Sequence, residues 1–302
     1  MAQFNPKLPD DSINLNQASP LRELLILVGA VGAGAALLAI LVGFTIDSLI
    51  PHIPIAVEQK IFSPIVDFMK RSSEDLAQEE VGKDVERKKL QQKKLEEILA
   101  NLVKHWPESN YQYQIGIWDF GASPDEKPLP NAAAFPGGYI LVTPSLLDGA
   151  SSENEIAMVV GHELGHFRNR DHLRGLGKEV VFSLLLAAIG SSGTSQMVST
   201  IAQYVGNLAN RSFSRVQESQ ADAFGLSLVA AHYGHVGGTT SFFERMSAEE
   251  TNSKMLLRYF RTHPLSQTRI DDLRTLASEH QWSFSQEVVG LPWEKKRSES
   301  LD

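Results

Sequence analysis

The chain has 302 residues, of which 42% are hydrophobic and 21% are charged. These fractions are ordinary for a packed globular protein, and they exclude bulk disorder and a transporter with many membrane spans. The net charge of −8 has the wrong sign for a protein that binds a phosphate backbone, so we expect no nucleic-acid partner. The sequence contains no cysteine, which excludes disulfides, thiolate metal sites and a cysteine nucleophile.

The N-terminal region combines a polar segment with a long apolar one. Residues 1–20 are polar and carry three prolines, and we expect a disordered tail there. Residues 24–46 contain no charged side chain. As a helix with a rise of about 1.5 Å per residue they would cover about 34 Å, enough to cross a hydrocarbon core of about 30 Å. The pattern predicts one transmembrane anchor over residues 21–50, with a cleaved signal peptide as the alternative.

The charges beside this apolar segment predict its direction in a membrane. Lys7 and Arg22 precede the segment, whereas only Lys60 follows it within about 20 residues. The positive-inside rule therefore favours a cytoplasmic N-terminus by a margin of one charge. The remainder of the chain is then expected on the exported side.

The next region changes from proline-rich to highly charged. Residues 51–73 hold three prolines and are expected to form an extended juxtamembrane linker. Ser72 to Asp75 resembles a capping box, and apolar residues then recur at helical spacing as far as Leu102. Acidic and basic residues intermix on the opposite face. We expect a helix there with a solvated surface that carries no chemistry.

Two strands are expected in the middle of the chain. Tyr111 to Phe120 alternates polar with apolar and aromatic residues, and Tyr139 to Thr143 is a second apolar run. Gly137 and Gly138 supply the conformational freedom of a turn just before the second run, which predicts a hairpin. Beyond it, the pattern favours helices almost to the end. A small sheet followed by many helices indicates an α+β domain that is mainly helical.

The most informative motif is His162-Glu-Leu-Gly-His166. It follows Ser152 and Glu155, which form a capping-box signature at the start of an amphipathic helix. The two histidines stand one turn apart on that helix, so both rings can reach one tetrahedral Zn²⁺. Glu163 projects beside them, where it reaches a water rather than the metal. This arrangement is typical of zinc hydrolases.

A catalytic zinc takes a third protein ligand and leaves one position open. Glu218 is one candidate, because Asp222 lies one turn further along the same helix face and can accept the N–H of a ligand histidine. His172 is the other candidate, since it follows His166 by six residues, a spacing close to that of the metzincin zinc peptidases. The residues alone leave both candidates open.

Four sequence blocks occur in the order found in a known family. They are Asn131-Ala-Ala-Ala-Phe-Pro-Gly-Gly138, His162-Glu-Leu-Gly-His166, Glu218-Ser-Gln-Ala-Asp222, and Thr262-His-Pro264 followed by Arg269-Ile270. With these blocks the chain resembles the gluzincin-type zinc metallopeptidases that include HtpX and the CAAX prenyl endopeptidase, metallopeptidase family forty-eight. The resemblance covers about residues 75 to 280 and implies a gluzincin-like peptidase domain with a small β-sheet.

The resemblance also implies a metal site with assigned roles. One Zn²⁺ per chain would be held by His162, His166 and Glu218, with Asp222 supporting a ligand histidine. Glu163 would be the general base, which takes a proton from the attacking water and gives it to the leaving amine.

His263 has three candidate roles, the first of them under the same resemblance. It would stabilise the oxyanion that develops on the peptide carbonyl. One alternative is a structural histidine that fixes the loop before Pro264. Another, from its expected placement, is that it occupies the open coordination position and silences the enzyme until a substrate displaces it. Arg269 is expected to pair with a carboxylate such as Asp222.

The strand 138–143 resembles the substrate-binding edge of the family, along which an extended peptide would add as a further strand. The residues expected to bind substrate are Asn131, Gly137, Gly138, Tyr139, Ile140, Leu141 and Val142. Main-chain pairing of this kind gives affinity with little sequence selectivity, which suits the cleavage of unfolded segments.

Two further segments complete the domain plan. Residues 180–210 carry no charge but are interrupted by Ser191 to Ser195, so neither half is long enough to span a bilayer comfortably. We expect a helical hairpin that packs on the domain or dips into the membrane interface. The peptidase domain is expected to cover residues 74–282, with a loose tail over 283–302.

These features predict a membrane-anchored zinc metalloendopeptidase, with the bilayer contacted through residues 24–46. The family resemblance implies that it hydrolyses misfolded or unassembled proteins. CAAX processing is disfavoured, because one membrane span cannot build an enclosed chamber. The alternative is a zinc-stabilised, chaperone-like module that holds unfolded clients without cleaving them. Glu163 argues against that alternative, because a structural zinc site needs no base.

Overall fold

The structure is a computed structural model that describes residues 19–78, 83–118, 130–174, 212–249, 263 and 267–293. The chain divides into two units, Met1–Ser48 and Leu49–Asp302. The expected tail over 1–20 and the expected helical hairpin over 180–210 lie almost wholly outside the described residues.

The first unit contains helix α1, Pro20–Leu49. Together with the 3₁₀ turn Ile50–His52, this helix is long and apolar enough to cross a membrane, judged by length and composition. None of its apolar window is buried in the protein. The structure therefore has an apolar helix where the sequence predicts an anchor.

The second unit combines helices with one three-stranded sheet among the described residues. Its elements are α2 (Ile55–Gln78), α3 (Lys83–Val103), β1 (Gln114–Ile117), β2 (Ala132–Phe135), β3 (Tyr139–Val142), α4 (Pro144–Gly149), α5 (Glu153–Asn169), α6 (Arg215–Tyr233), α7 (Ser241–Glu249) and α8 (Gln267–Glu279). The mainly helical α+β class predicted from the sequence is confirmed.

Helix α5 lies at the centre of this unit, and α3, α6 and β2 pack against it. Every residue of α5 from Glu153 to Phe167 is buried. The helix begins as the sequence predicts, because the Ser152 side chain accepts a hydrogen bond from the Glu155 backbone N–H at 3.2 Å. The Glu155 carboxylate instead accepts hydrogen bonds from Ser151 and from Arg245, which fixes the start of the helix against the following segments.

The sheet differs from the predicted hairpin in its pairing. The strand order is β1-β3-β2, with β1 parallel and β2 antiparallel to β3. The predicted turn is present, since Gly137 and Gly138 adopt φ angles of 92° and 91°. However, the turn joins β3 to β2 rather than to the predicted strand at 111–120. Three alanines in β2 give a weak strand signal, yet their small side chains fit where β2 contacts α5.

The prediction of an extended linker over 51–73 is wrong. Helix α2 begins at Ile55 and contains both Pro64 and the capping signal expected at Ser72 to Asp75. Pro51 and Pro54 lie just before its first residue, where a missing backbone N–H costs little. Burial of apolar side chains on the rest of the unit stabilises the helix despite Pro64; they are Phe62, Val66 and Met69.

The prediction of a loose tail from residue 283 is also wrong for its first part. The Val289 backbone accepts a hydrogen bond from Glu153 N–H at 2.8 Å and donates one to Asn154 Oδ1 at 2.9 Å. Leu291 is buried, and the Trp293 indole donates to the Leu147 carbonyl. Residues up to 293 therefore pack on the domain, because they satisfy backbone groups at the start of α5.

Helix α2 contributes a buried carboxylate, Glu58, to the domain. Its Oε1 accepts from the Gly137 backbone N–H and from His172 Nε2, each at 2.9 Å. Its Oε2 accepts from the Tyr111 hydroxyl at 2.6 Å and from Arg170 Nη2 at 3.0 Å. Burial alone would raise the pKa of Glu58, but His172, Gly137 and Tyr111 together lower that pKa from 4.5 to about 2.

We predict that Glu58→Gln lowers the free energy of unfolding by about 3–5 kcal/mol, because it leaves Arg170 without its buried charge partner. The folded pKa lies below the unfolded value, so this contribution is present above pH 4.5 and is lost as the pH falls towards about 2. Urea unfolding followed by tryptophan fluorescence at several pH values would measure the difference between variant and wild type. Glu86→Gln is the matched control, since the Glu86 side chain is 81% exposed. A wild-type advantage over Glu58→Gln that stays constant from pH 6 to pH 3 would contradict the prediction.

Candidate metal centre

Four buried side chains meet where α5 faces α6. His162 and His166 come from α5, Glu218 comes from the first turn of α6, and His263 comes from the segment before α8. Their candidate ligand atoms all lie within 4.8 Å of one another, and they form the only such group in the described part of the chain.

The separations of these atoms suit one small cation. The Nε2 atoms of His162 and His166 are 3.1 Å apart. Glu218 Oε2 lies 3.6 Å from His162 Nε2, and Glu218 Oε1 lies 3.6 Å from His166 Nε2. Ligand atoms of a tetrahedral Zn²⁺ at 2.0–2.1 Å are about 3.4 Å apart. The residues present therefore fit a zinc ion.

The first histidine is held by the predicted carboxylate. His162 Nδ1 lies 2.8 Å from Asp222 Oδ1, and because an ionised carboxylate only accepts, Nδ1 donates the hydrogen bond. Arg269 donates to both oxygens of Asp222, from Nε at 2.7 Å and from Nη2 at 2.8 Å. Burial would raise the pKa of Asp222, but the Arg269 charge and hydrogen bond outweigh it and lower that pKa. His162 consequently presents the lone pair of Nε2 to the centre.

The second histidine is held by a carboxylate that the sequence analysis missed. His166 Nδ1 lies 3.0 Å from Asp171 Oδ2 and donates to that carboxylate, so Nε2 faces the centre. The Nε2 atoms of His162 and His166, 3.1 Å apart, are close enough to share a proton or a metal cation. Together with Glu218 and His263 they form the candidate metal site.

Glu163 lies beside the cluster with an unusual lack of partners. The side chain is fully buried, and neither carboxylate oxygen has a hydrogen-bond partner among the described residues. The Nε2 atom of His263 lies 3.7 Å from Glu163 Oε1. A buried carboxylate in this state is costly unless a water or cation completes its surroundings.

His263 lies inside the cluster rather than beside it. Its Nδ1 is 3.0 Å from Glu218 Oε1 and 3.1 Å from His162 Nε2. Nδ1 therefore reaches the metal position, while Nε2 faces Glu163. The residues on either side of His263, Thr262 and Pro264, lie outside the described part of the chain.

His172, the alternative third ligand, is not part of the cluster. Its Nε2 donates to Glu58 on helix α2, at 2.9 Å. The segment that follows α5 turns His172 towards α2 and Asp171 towards His166. Of the two candidate ligands, only Glu218 is brought to the histidine pair.

The predicted substrate strand lies in the wrong place to bind a peptide along its edge. Strand β3, Tyr139–Val142, is fully buried and has β1 on one side and β2 on the other. Gly137 and Gly138 form the turn before it. Its backbone pairs within the sheet because the missed strand β2 occupies the position that the sequence analysis left open. Asn131, at the start of β2, is buried, and neither polar atom of its side chain has a hydrogen-bond partner among the described residues.

Close packing of α5 on α6 brings Glu218 and Asp222 to the histidines. A Cβ atom on Gly165 would lie 2.6 Å from Ala221 Cα, and one on Gly161 would lie 2.9 Å from Gly225 Cα. Real side chains do not approach backbone atoms so closely, so glycine is required at these positions of α5. The glycine inside the His162–His166 motif thus has a packing role.

Sequence reasoning missed Asp171 and Glu58 for different reasons. Asp171 reaches His166 only because Arg170 adopts a left-handed conformation, with φ 56°, and turns the chain back. No spacing rule for a regular helix predicts that contact. Glu58 was assigned to a linker, although an acidic residue between apolar ones in residues 55–66 was a signal for a helix with a buried polar group.

Comparisons with known proteins find similarity to a peptidase family and to several proteases. The family described as Peptidase family M48 matches residues 89–277. A putative beta-barrel assembly-enhancing protease of Vibrio cholerae is 30% identical over 161 residues, which are 50% of this chain and 33% of that protein. Mitochondrial metalloendopeptidase OMA1 of Schizosaccharomyces pombe is 30% identical over 155 residues, 51% of this chain and 45% of the relative. Metalloprotease LoiP of Escherichia coli is 28% identical over 149 residues, 48% of this chain and 57% of the relative. The matched part thus spans between one third and somewhat over half of these relatives.

We predict that Gly165→Ala destabilises the fold by about 1–3 kcal/mol, because the added methyl group forces α6 away from α5. The shift would also move Glu218 and weaken zinc binding. Gly149→Ala is the matched control, since its Cβ would meet no atom within 4 Å. Urea unfolding and a chelator competition for zinc would measure both effects. Equal stability and zinc affinity in the two variants would contradict the packing role.

Proposed function

The chain belongs to peptidase family M48, a family of zinc-dependent metallopeptidases, and on that premise we propose that it is a membrane-anchored zinc metalloendopeptidase acting on misfolded or unassembled proteins. The observation that carries the proposal is the pair of histidine Nε2 atoms facing each other at 3.1 Å beside the Glu218 carboxylate. One divalent cation could bind all three of these groups at once.

His162, His166 and Glu218 would hold one zinc ion per chain. Both imidazoles donate from Nδ1 to carboxylates, which leaves Nε2 as the metal-binding atom, and Glu218 contributes a negative charge. When bound, zinc supplies a Lewis acid that polarises a carbonyl and makes a water more acidic. Arg269 Nη1, 2.7 Å from Glu218 Oε2, would fix the orientation of that carboxylate.

Glu163 would act as the general base. It follows a proposed ligand directly in the sequence, it is buried, and its oxygens have no hydrogen-bond partner among the described residues. A carboxylate in this position can take a proton from the attacking water and give it to the amine that leaves. A structural zinc site would not require such a residue.

An extended substrate would pair with β2 instead of β3. Strand β2 lies at the border of the sheet, and its far side has no partner strand within the described ranges. It also contacts α5, which carries the two histidines. Asn131 would support binding, because its unpaired amide can form hydrogen bonds to a peptide backbone. Such main-chain recognition selects for extended conformation more than for sequence.

The proposed location and clients rest on helix α1 and on the names of the relatives. Helix α1 would anchor the enzyme, and the charges around it favour an exported peptidase domain. One relative is named a metalloendopeptidase, another a metalloprotease, and a third a putative beta-barrel assembly-enhancing protease. These names support a role in which incompletely assembled polypeptides are cleaved.

A chaperone-like module with a structural zinc is the second candidate. His263 favours it, because the four-residue group resembles the closed, four-ligand sites of structural zinc. The same observation also supports an enzyme held latent by His263. The two candidates differ in whether peptide bonds are ever cleaved.

We predict that Glu163→Gln abolishes cleavage of an unfolded model protein while one zinc per chain is retained, because the variant loses the base but no ligand. Peptide release and metal analysis of the same preparation would measure both. His162→Ala is the control for the metal site and is expected to lose zinc as well as activity. If wild type and Glu163→Gln bind zinc and client equally and neither cleaves it, the binding module is correct.

We predict that His263→Ala separates the two roles of this residue. If His263 stabilises the oxyanion, kcat falls by about a hundredfold or more while KM changes little. If His263 closes the metal site in the wild type, the activity of His263→Ala is unchanged or raised, because the coordination position is permanently open in the variant. The geometry at Nδ1 leads us to expect the second result. Steady-state kinetics with a quenched fluorescent peptide would distinguish them, and a hundredfold loss would reject latency.

A further inference from the structure

Asp171 is a buried carboxylate for which the proposed mechanism has no role so far. It is 3% exposed, and its Oδ2 accepts the hydrogen bond from His166 Nδ1 at 3.0 Å. The contact has the same form as that between Asp222 and His162, where Nδ1 also donates to a carboxylate. His162 and His166, the two histidines on α5, therefore each have their own acidic partner.

The end of helix α5 brings Asp171 to this position. Arg170 terminates the helix in a left-handed conformation, and its backbone N–H donates to the Phe167 carbonyl at 3.0 Å. The chain then reverses, so the next side chain faces the last helical turn and meets His166. This route is local to α5 and does not depend on the metal.

A second hydrogen bond fixes the other oxygen of Asp171. Gln217 Nε2 donates to Asp171 Oδ1 at 2.7 Å. Gln217 Oε1 accepts from the Ser214 backbone N–H at 2.9 Å, as part of the capping box that starts α6. Glu218 is the next residue. One hydrogen-bonded chain thus joins His166 to the helix start that carries the carboxylate ligand.

The residues on either side of Asp171 are held as well. Arg170 and His172 both donate to Glu58, and Arg170 also donates to the Ile50 carbonyl at 2.8 Å. The chain on either side of Asp171 is therefore held by Glu58 of α2 and by Ile50, and these contacts restrain Asp171 beside His166.

The face of the His166 ring is covered too. Phe213 stacks on it with ring centroids 3.9 Å apart and an angle of 22° between the planes. The stacking restrains tilting of the ring but not rotation within its own plane. The hydrogen bond to Asp171 places a proton on Nδ1 of the ring.

We propose that Asp171 is a positioning residue that holds the proton of His166 on Nδ1 and directs its Nε2 at the metal. The proposal rests on the proposed zinc site and assigns a function to a residue outside its ligands. Without the carboxylate, the ring can exchange tautomers, and the protonated Nε2 of the wrong tautomer cannot bind a cation. Partners of this kind typically contribute about 10–100-fold to metal affinity.

The test compares zinc retention in variants of the full-length chain in detergent. Asp171→Ala is expected to bind zinc about 10–100-fold more weakly than wild type in competition with a chromophoric chelator. Asp171→Asn keeps an acceptor oxygen without the charge, and its zinc affinity is expected to lie between those of wild type and Asp171→Ala. The absorption spectrum of the Co²⁺-substituted protein should change in both, since it reports the geometry of the ligands. Asp148→Asn is the matched control, because that aspartate is exposed and pairs with Arg87.

Gln217→Met provides a second variant in case the Asp171 substitutions prevent folding. This variant keeps the Asp171 carboxylate but removes the Gln217 amide that donates to it. Zinc affinity should therefore fall, but by less than in Asp171→Ala. Zinc affinity within twofold of wild type and an unchanged cobalt spectrum, in any of the Asp171→Ala, Asp171→Asn and Gln217→Met variants that unfolds in urea as wild type does, would overturn the proposal. A wild type that binds no zinc would instead reject the proposed function itself.

Discussion

The close approach of helices α5 and α6 is the constraint on which the site depends. Where Gly165 meets Ala221 and Gly161 meets Gly225, the backbones lie too near for any larger side chain on α5. The short distance lets Glu218 reach the ligand atoms of both histidines and lets Asp222 reach His162. Helices in ordinary contact lie about 8–10 Å apart, and that spacing would leave these carboxylates short of their partners.

The interior around this contact is rich in acidic groups. Glu163, Asp171, Glu218 and Asp222 are all buried within one region, and Arg269 is the buried cation that the structure pairs directly with two of them. Several unbalanced carboxylates in a low-dielectric interior repel one another. A divalent cation would remove that repulsion, so metal binding and folding of this region are expected to support each other.

The parts of the site that lie on regular helices were predictable, because fixed spacing determines which side chains share a face. His162, His166 and the pair Glu218 and Asp222 are of this kind. The strand β2, the buried Glu58 and the contact of Asp171 with His166 were not. Each of them depends on where separate segments meet, which no local pattern reports. The contact of Asp171 with His166 depends on the left-handed conformation of Arg170 at the end of α5.

The position of His263 connects the structure to the control of activity. A closed set of four ligand groups suits a structural zinc, whereas a catalytic zinc keeps one position for water. Glu163 resolves this conflict in favour of an enzyme, because a buried carboxylate without a partner contributes nothing to a purely structural site. His263 belongs to neither helix that carries the other three groups. We propose that the arrangement in the structure is the resting form of the site and that withdrawal of the His263 imidazole would make the position beside Glu163 accessible to water.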